Sequence, residues 1–303
     1  MEPAPYPQFG QVTGRWYAGN RAGYAETMHP AAPPLRRSYA DGPHGQIHYY
    51  DGGGTGTPVL MLHQSPASSS DWFALVPLLA STGLRLLAMD TPGMGLSDPL
   101  PFVPTMVDYV DAVPVVLDHA GVAQADLLGH HTGVQIAIEA AVRYPARVRS
   151  AMLYGVPVMT AAEQEAYWHD IVPRSREATL HKPVPGGSNL TTHFQRLERL
   201  FGTIAAQRML LSALIAGPLL WHGHNAALQH DMAPALLAAT QPLLLISHPG
   251  EMLEANTQAA AALRPDARYV SIDTDAPIAM DGNPAALAAA IIDFLNDIKR
   301  RMI

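Results

Sequence analysis

The sequence predicts an α/β protein: a mostly parallel central sheet with helices on both faces, interrupted by a helical insertion. Three observations predict it. Short apolar runs alternate with longer helix-patterned stretches from about residue 35 onward, the rhythm of a parallel sheet with crossover helices. That rhythm stops for more than eighty residues between Tyr154 and Pro242, which exceeds an ordinary connection. One strand runs straight into GHHTG, residues 129–133, a glycine-flanked turn that leads into a helix apolar almost all round.

The apolar runs place strands at 46–51 (QIHYYD), 58–63 (PVLMLH), 84–89 (LRLLAM), 125–129 (ADLLG), 148–154 (VRSAMLY), 242–247 (PLLLIS) and 268–272 (ARYVS). The helix after the turn, TGVQIAIEAAVRYP, stops at Pro145. The last helix repeats Leu287, Ile291, Phe294 and Ile298 along one face, with Lys299, Arg300 and Arg301 where cations suit a helix C-terminus. The expected organisation is an irregular Pro/Gly/Ala-rich arm at 1–34, a core built from 35–155 and 241–303, and a helical lid at 156–240.

Bulk properties narrow the function classes. A chain of 303 residues with 48% hydrophobic content can bury a large core. Its formal charge of -7 supplies no general attraction to nucleic acid or to an anionic membrane, so neither partner is expected. The absence of cysteine excludes disulfides, thiolate metal sites and a cysteine nucleophile. No apolar run approaches the roughly 20 residues of a spanning helix, and the first residues lack a basic stretch followed by an apolar one. A cytoplasmic protein with a small-molecule ligand is expected; homodimer formation is left open.

GHHTG has the strand–turn–helix context of a nucleophile elbow, in which small residues let a strained turn lift one side chain between a strand and a close-packed helix. Together with "MLHQSP" (61–66) and "MDTPGMGLSDP" (89–99), it makes the chain resemble the α/β-hydrolase fold family from about residue 40 to the end. Residues 61–66 are similar to the family's His-Gly-x-Pro loop, with Gln64 in the glycine's place. Residues 89–99 are similar to its Asp-x-Pro-Gly-x-Gly-x-Ser-Asp loop.

The resemblance implies an oxyanion hole from the backbone amides of Ser65 and Thr132, and it makes His63 and His130 ordinary structural histidines of the first loop and the elbow. It also implies an acid after the penultimate strand, where Glu251 is the nearest carboxylate. A surface carboxylate opening the next helix is the competing reading of Glu251. The base expected after the last strand falls at or near Pro277, and that loop contains no histidine. Serine-hydrolase chemistry is therefore excluded, since the elbow tip is His131 and neither a hydroxyl nucleophile nor its base is present.

An imidazole with an ordinary pKa near 6.5 suits proton transfer at neutral pH. His131 is thus expected to act as general base, or less favourably as nucleophile, in a hydrolase or a cofactor-free lyase or isomerase acting on a small, largely apolar carbonyl or ester compound. The alternative is a triad-less binding module that uses the same pocket without turnover. Candidate pocket residues are His63, Gln64, His130, Trp168, His193, Trp221 and His224, with Phe194, Phe201, Met159, Met209 and Asn189 as further lining candidates. A metal shared by His131 with His193, His222 and His224 is disfavoured, because a spacing of two suits one face of a strand rather than of a helix. No organic cofactor is expected, since the glycines form no dinucleotide fingerprint.

Overall fold

Five of the apolar runs become strands buried along nearly their whole length, because helices cover both faces of the sheet and leave no solvated side to alternate with. The computed structural model describes residues 35–177, 183–184 and 187–301. The arm expected at 1–34 lies outside them, as does the side chain of Asn189.

Eight strands form the central sheet: β1 Arg36–Gly42, β2 Gly45–Asp51, β3 Pro58–Leu62, β4 Arg85–Met89, β5 Ala125–His130, β6 Val148–Tyr154, β9 Leu243–Ser247 and β10 Arg268–Ser271. A separate two-stranded pair, β7 Pro183–Val184 and β8 Gly187–Ser188, lies within the insertion. The sheet order is β1-β2-β4-β3-β5-β6-β9-β10. β2 is antiparallel to both β1 and β4, and every other pairing is parallel. Strand β1 is absent from the sequence expectation because Arg36-Arg37-Ser38-Tyr39-Ala40-Asp41-Gly42 carries no apolar run; its pairing with β2 makes it a strand.

The two-residue side-chain period divides each central strand between two cores. Leu60, Leu62 and Leu127 join the cluster under the helix Thr132–Arg143, whereas Val59, Met61 and Leu128 join the one packed by the C-terminal helix Pro284–Arg301. That last helix buries Leu287, Ile291, Phe294 and Ile298, the expected stripe.

Topology then fixes where chemistry can sit. From β3 the chain crosses to β4 on one side and returns to β5 on the other, so strand order reverses at β3. Connections leaving the C-terminal ends of β3 and β5 diverge and open a crevice, the usual ligand position in an open α/β sheet. Leu62 pairs with Gly129 across these two ends, which puts the 63–66 loop and residue 131 side by side.

The insertion contains the helices Ala161–Glu177, Asn189–Phe201, Thr203–Ala216, His222–Leu228 and Ala233–Ala238. Among the described residues no single helix is long and apolar enough to cross a membrane.

Candidate active site

Strand β5 ends at His130 and the next helix begins at Thr132, leaving one residue to make the turn. His131 makes it with φ 46° and ψ −107°, the only described non-glycine residue at positive φ. Such backbone costs about 1–3 kcal/mol and persists only where the surroundings hold it. Two glycines make it sterically feasible. A Cβ on Gly129 would lie 2.3 Å from the Gly133 carbonyl oxygen, and one on Gly133 would lie 2.0 Å from the Leu62 carbonyl oxygen.

The imidazole lifted by this turn is one-fifth exposed, and its Nε2 lies 2.7 Å from Glu251 Oε1. Glu251 sits in the turn after β9, before the helix Glu254–Leu263, and its side chain is only 2% exposed. Its second oxygen, Oε2, accepts the Leu253 amide at 2.8 Å. Of the two readings open to the sequence, the geometry excludes the surface carboxylate and pairs Glu251 with the elbow histidine. Nδ1 of His131 makes no hydrogen bond to a described residue.

Gly155, the residue after β6, keeps this pair intact. A Cβ there would fall 2.3 Å from His131 Cδ2 and 2.6 Å from Nε2, so any side chain would occupy the space of the ring. Only its position after a strand that pairs with β5 could have singled it out in the sequence. The preceding Tyr154 stacks on His130 at 4.6 Å and 10°, and its hydroxyl accepts the Ala279 amide at 2.8 Å. That bond fastens the loop in which the family's base would lie, and Pro277 brings no imidazole to it.

His130 is buried behind the elbow against Tyr154, with Trp72 edge-on at 6.4 Å. Burial first, and the neighbouring His131 second, hold its pKa well below the ordinary range, so it is neutral packing. His63 is equally buried: Nδ1 meets the Gln64 carbonyl at 2.7 Å and Nε2 accepts the Thr91 amide at 3.0 Å, which ties the first loop to the loop after β4. Both histidines are fixed parts of the scaffold. Gln64, Ser65 and Thr132 are also buried, and within the described residues neither the Ser65 nor the Thr132 amide donates a hydrogen bond.

From the insertion, the helix His222–Leu228 lies directly on Ser65: a Cβ on Gly223 would meet Ser65 Oγ at 2.1 Å. His224, the next residue, is close enough to His131 to feel its charge; burial and then His131 lower its pKa to about 4. His222, also on this helix, is two residues away and so points to a different side. No group of three or more His, Asp or Glu suited to a metal is present among the described residues.

The other candidates have their described contacts within the insertion. Trp168 donates to Asn225 at 3.0 Å, bracing the helix that carries His224. Trp221 lies under the Arg176 guanidinium at 5.1 Å. His193 is half-buried, with its pKa lowered by burial and then by Arg196. No interaction of His193 with the elbow is seen among the described residues.

A tie invisible in the sequence holds the insertion down. Arg208, on the helix Thr203–Ala216, donates from Nε to Asp71 at 3.1 Å and from both terminal nitrogens to Asp281 at 2.9 Å each. Asp71 belongs to the turn Ser69–Trp72 after the first loop, and Asp281 to the short helix Ala279–Gly282 after β10.

A strained elbow between parallel strands at a strand-order reversal, followed by helices between β6 and β9, is the arrangement of the α/β-hydrolase fold, and the chain has that fold. Residues 57–198 match the sequence profile of the α/β hydrolase fold family. A 2-hydroxy-6-oxononadienedioate/2-hydroxy-6-oxononatrienedioate hydrolase of Burkholderia vietnamiensis is 28% identical over 214 residues, 65% of this chain and 74% of that protein. The same fold recurs in a thermophilic esterase from Thermogutta terrifontis, with TM-score 0.71, 21% identity and coverage of 87% of this chain and 99% of that one. It recurs also in the enol-lactonase of Burkholderia xenovorans, with TM-score 0.69, 21% identity and coverage of 86% and 100%.

Proposed function

We propose that this chain is a hydrolase acting on a small carbonyl or ester compound, with His131 as general base toward water and Glu251 holding its ring. The observation that carries the reading is the 2.7 Å contact between His131 Nε2 and Glu251 Oε1. A carboxylate on Nε2 takes the single proton of the neutral ring on that side, which leaves the Nδ1 lone pair free to accept another. A binding module would gain nothing from a carboxylate buried against one imidazole; a base needs its tautomer and orientation fixed.

The steps follow from the atoms available. A water proton passes to Nδ1 while the water oxygen bonds to the carbonyl carbon, and the carbonyl π pair moves onto its oxygen. That oxygen rests on the Ser65 and Thr132 amides, each donor of this kind being worth roughly 3–4 kcal/mol in measured systems. Collapse restores the carbonyl, breaks the bond to the leaving group and returns the Nδ1 proton to it. The Nε2 proton stays on its bond to Glu251 throughout. The insertion serves as the lid, excluding bulk water from this exchange.

The same base could remove a proton from carbon beside a carbonyl, the lyase or isomerase version of this chemistry. Hydrolysis is favoured because the relatives above are named for hydrolysis of an oxo-dienedioate, an ester and an enol lactone. His131→Ala tests the reading against a panel of para-nitrophenyl esters of short acids. A loss of at least about a hundredfold in kcat/KM with a native circular dichroism spectrum is expected; full activity in that variant would remove His131 from the mechanism.

A further inference from the structure

A cavity of about 490 Å3 lies at the edge of the sheet opposite the elbow. That volume falls within the roughly 300–1,000 Å3 of small-molecule sites. Its walls are Thr57 before β3, Leu84 before β4, Arg149 at the start of β6, and the C-terminal helix Pro284–Arg301. β3, β4 and β6 all run parallel with β5, so their starts share one edge while the elbow stands at the other. A strand of six residues sets these edges roughly 16 Å apart at about 3.3 Å per residue. Among the described residues, none from the elbow or the insertion lines the cavity.

The helix contributes Ile292, Leu295, Asn296 and Lys299, whose spacing of three and four residues puts them on one face. Two cations, Arg149 and Lys299, line the cavity, and no described carboxylate does. The acids on the same helix are engaged elsewhere: Asp293 pairs with Arg268, and Asp297 with Arg268 and Arg300. Lys299 therefore has no ion-pair partner among the described residues. Arg149 donates from Nε to the buried Asp126 at 2.9 Å and from Nη2 to its other oxygen, while Nη1 has no hydrogen bond to a described residue. Asp126 thus cancels the charge of Arg149, and the cavity keeps one net positive charge beside aliphatic walls.

We infer that this cavity is a second ligand site, for amphiphilic monocarboxylates of medium chain length. The Lys299 ammonium and Arg149 Nη1 take the two carboxylate oxygens, and the alkyl chain lies on Leu84, Ile292 and Leu295. A phosphate or dicarboxylate would bring two charges to a place with one to answer them, and Arg149 has already spent on Asp126 the paired donors that favour phosphate. A neutral apolar ligand would cover both donors without giving them an acceptor. The site stands apart from the proposed hydrolysis and does not depend on it.

Equilibrium dialysis of the full chain against labelled octanoate, octanol and acetate, below micelle-forming concentrations, tests it. Octanoate should bind saturably, with octanol at least about tenfold weaker for want of the charged head and acetate at least about tenfold weaker for want of the chain. Lys299→Glu should weaken octanoate by at least about tenfold, whereas Lys299→Arg should keep it. Asn296→Trp, at an exposed helix position, should fill the cavity and remove binding while the circular dichroism spectrum stays native. Arg149 is left in place, because removing it would strand the fully buried Asp126. None of the three variants should alter turnover of para-nitrophenyl esters. Octanoate affinity that is the same in wild type, Lys299→Glu and Asn296→Trp would put the fatty chain elsewhere, at the elbow for instance, and overturn the assignment. Octanol bound as tightly as octanoate, or no saturable octanoate binding at millimolar concentration, would overturn it as well.

Discussion

Both oxygens of Glu251 are committed, one to His131 Nε2 and the other to the Leu253 amide, and this decides what a conservative change would do. In Glu251→Gln the amide oxygen must face the Leu253 N–H, since an NH2 group there would set donor against donor. The NH2 group then points at His131 Nε2, which has to give up its proton to accept that bond. The ring proton moves to Nδ1, and the face toward substrate becomes a donor. The variant should therefore fold normally and lose roughly a hundred- to ten-thousand-fold in kcat with little change in KM, the pattern of a wrong tautomer rather than a lost binding contact. Steady-state kinetics on the same ester panel checks this, and a KM effect without a kcat effect would contradict it.

At the scale of elements, the parallel strands were legible because both of their faces are buried, so their residues are unbroken aliphatic runs that local composition reveals. The elbow was legible because its glycines are imposed by contacts under 2.5 Å with Leu62 and Gly133 backbone, which no other residue type satisfies. What depends on long-range partners was not. Strand β1 has no apolar signature of its own, and the Glu251–His131 pair spans 120 positions, so the sequence could only nominate each partner. Arg208 was invisible altogether, being one arginine in a helical stretch until the fold brings Asp71 and Asp281 to it. Burial raises the Asp71 carboxyl pKa, opposed chiefly by the Arg208 charge. Removing that charge in Arg208→Met strands a carboxyl that is 1% exposed, at a cost of about 3 kcal/mol, or on the order of 10 °C in thermal midpoint. The double variant Arg208→Met with Asp71→Asn should recover most of the loss, as measured by calorimetry; equal losses in the single and double variants would mean that the charge at Asp71 is not what Arg208 answers.

For the molecule as a whole, the same burial that shapes the site sets its response to acid. His130 and His224 are both held neutral in the folded chain, mainly by burial, with pKa values below their ordinary 6.5. Once unfolded, both regain ordinary values and bind protons as pH falls below 6.5, while the folded state does not, so the unfolded state carries more protons and stability drops with pH. The His224 contribution is complete above 6.5 and is lost as pH falls toward about 4. At pH 5 the loss amounts to about 2 kcal/mol from a separation of this size. The buried carboxylates act in other windows: Asp90, held low by His48 and by backbone amides against its burial, gives up its contribution only nearer pH 4 and below, whereas Asp71, raised by burial, opposes the loss as it takes up a proton. Between pH 7.5 and 5 the histidines dominate, and the urea midpoint of the wild type should fall across that interval. In His224→Phe the fall should be smaller by the His224 share, because that ring no longer exists to be protonated in the unfolded chain. An identical pH dependence in the two proteins would show that His224 carries its proton when folded.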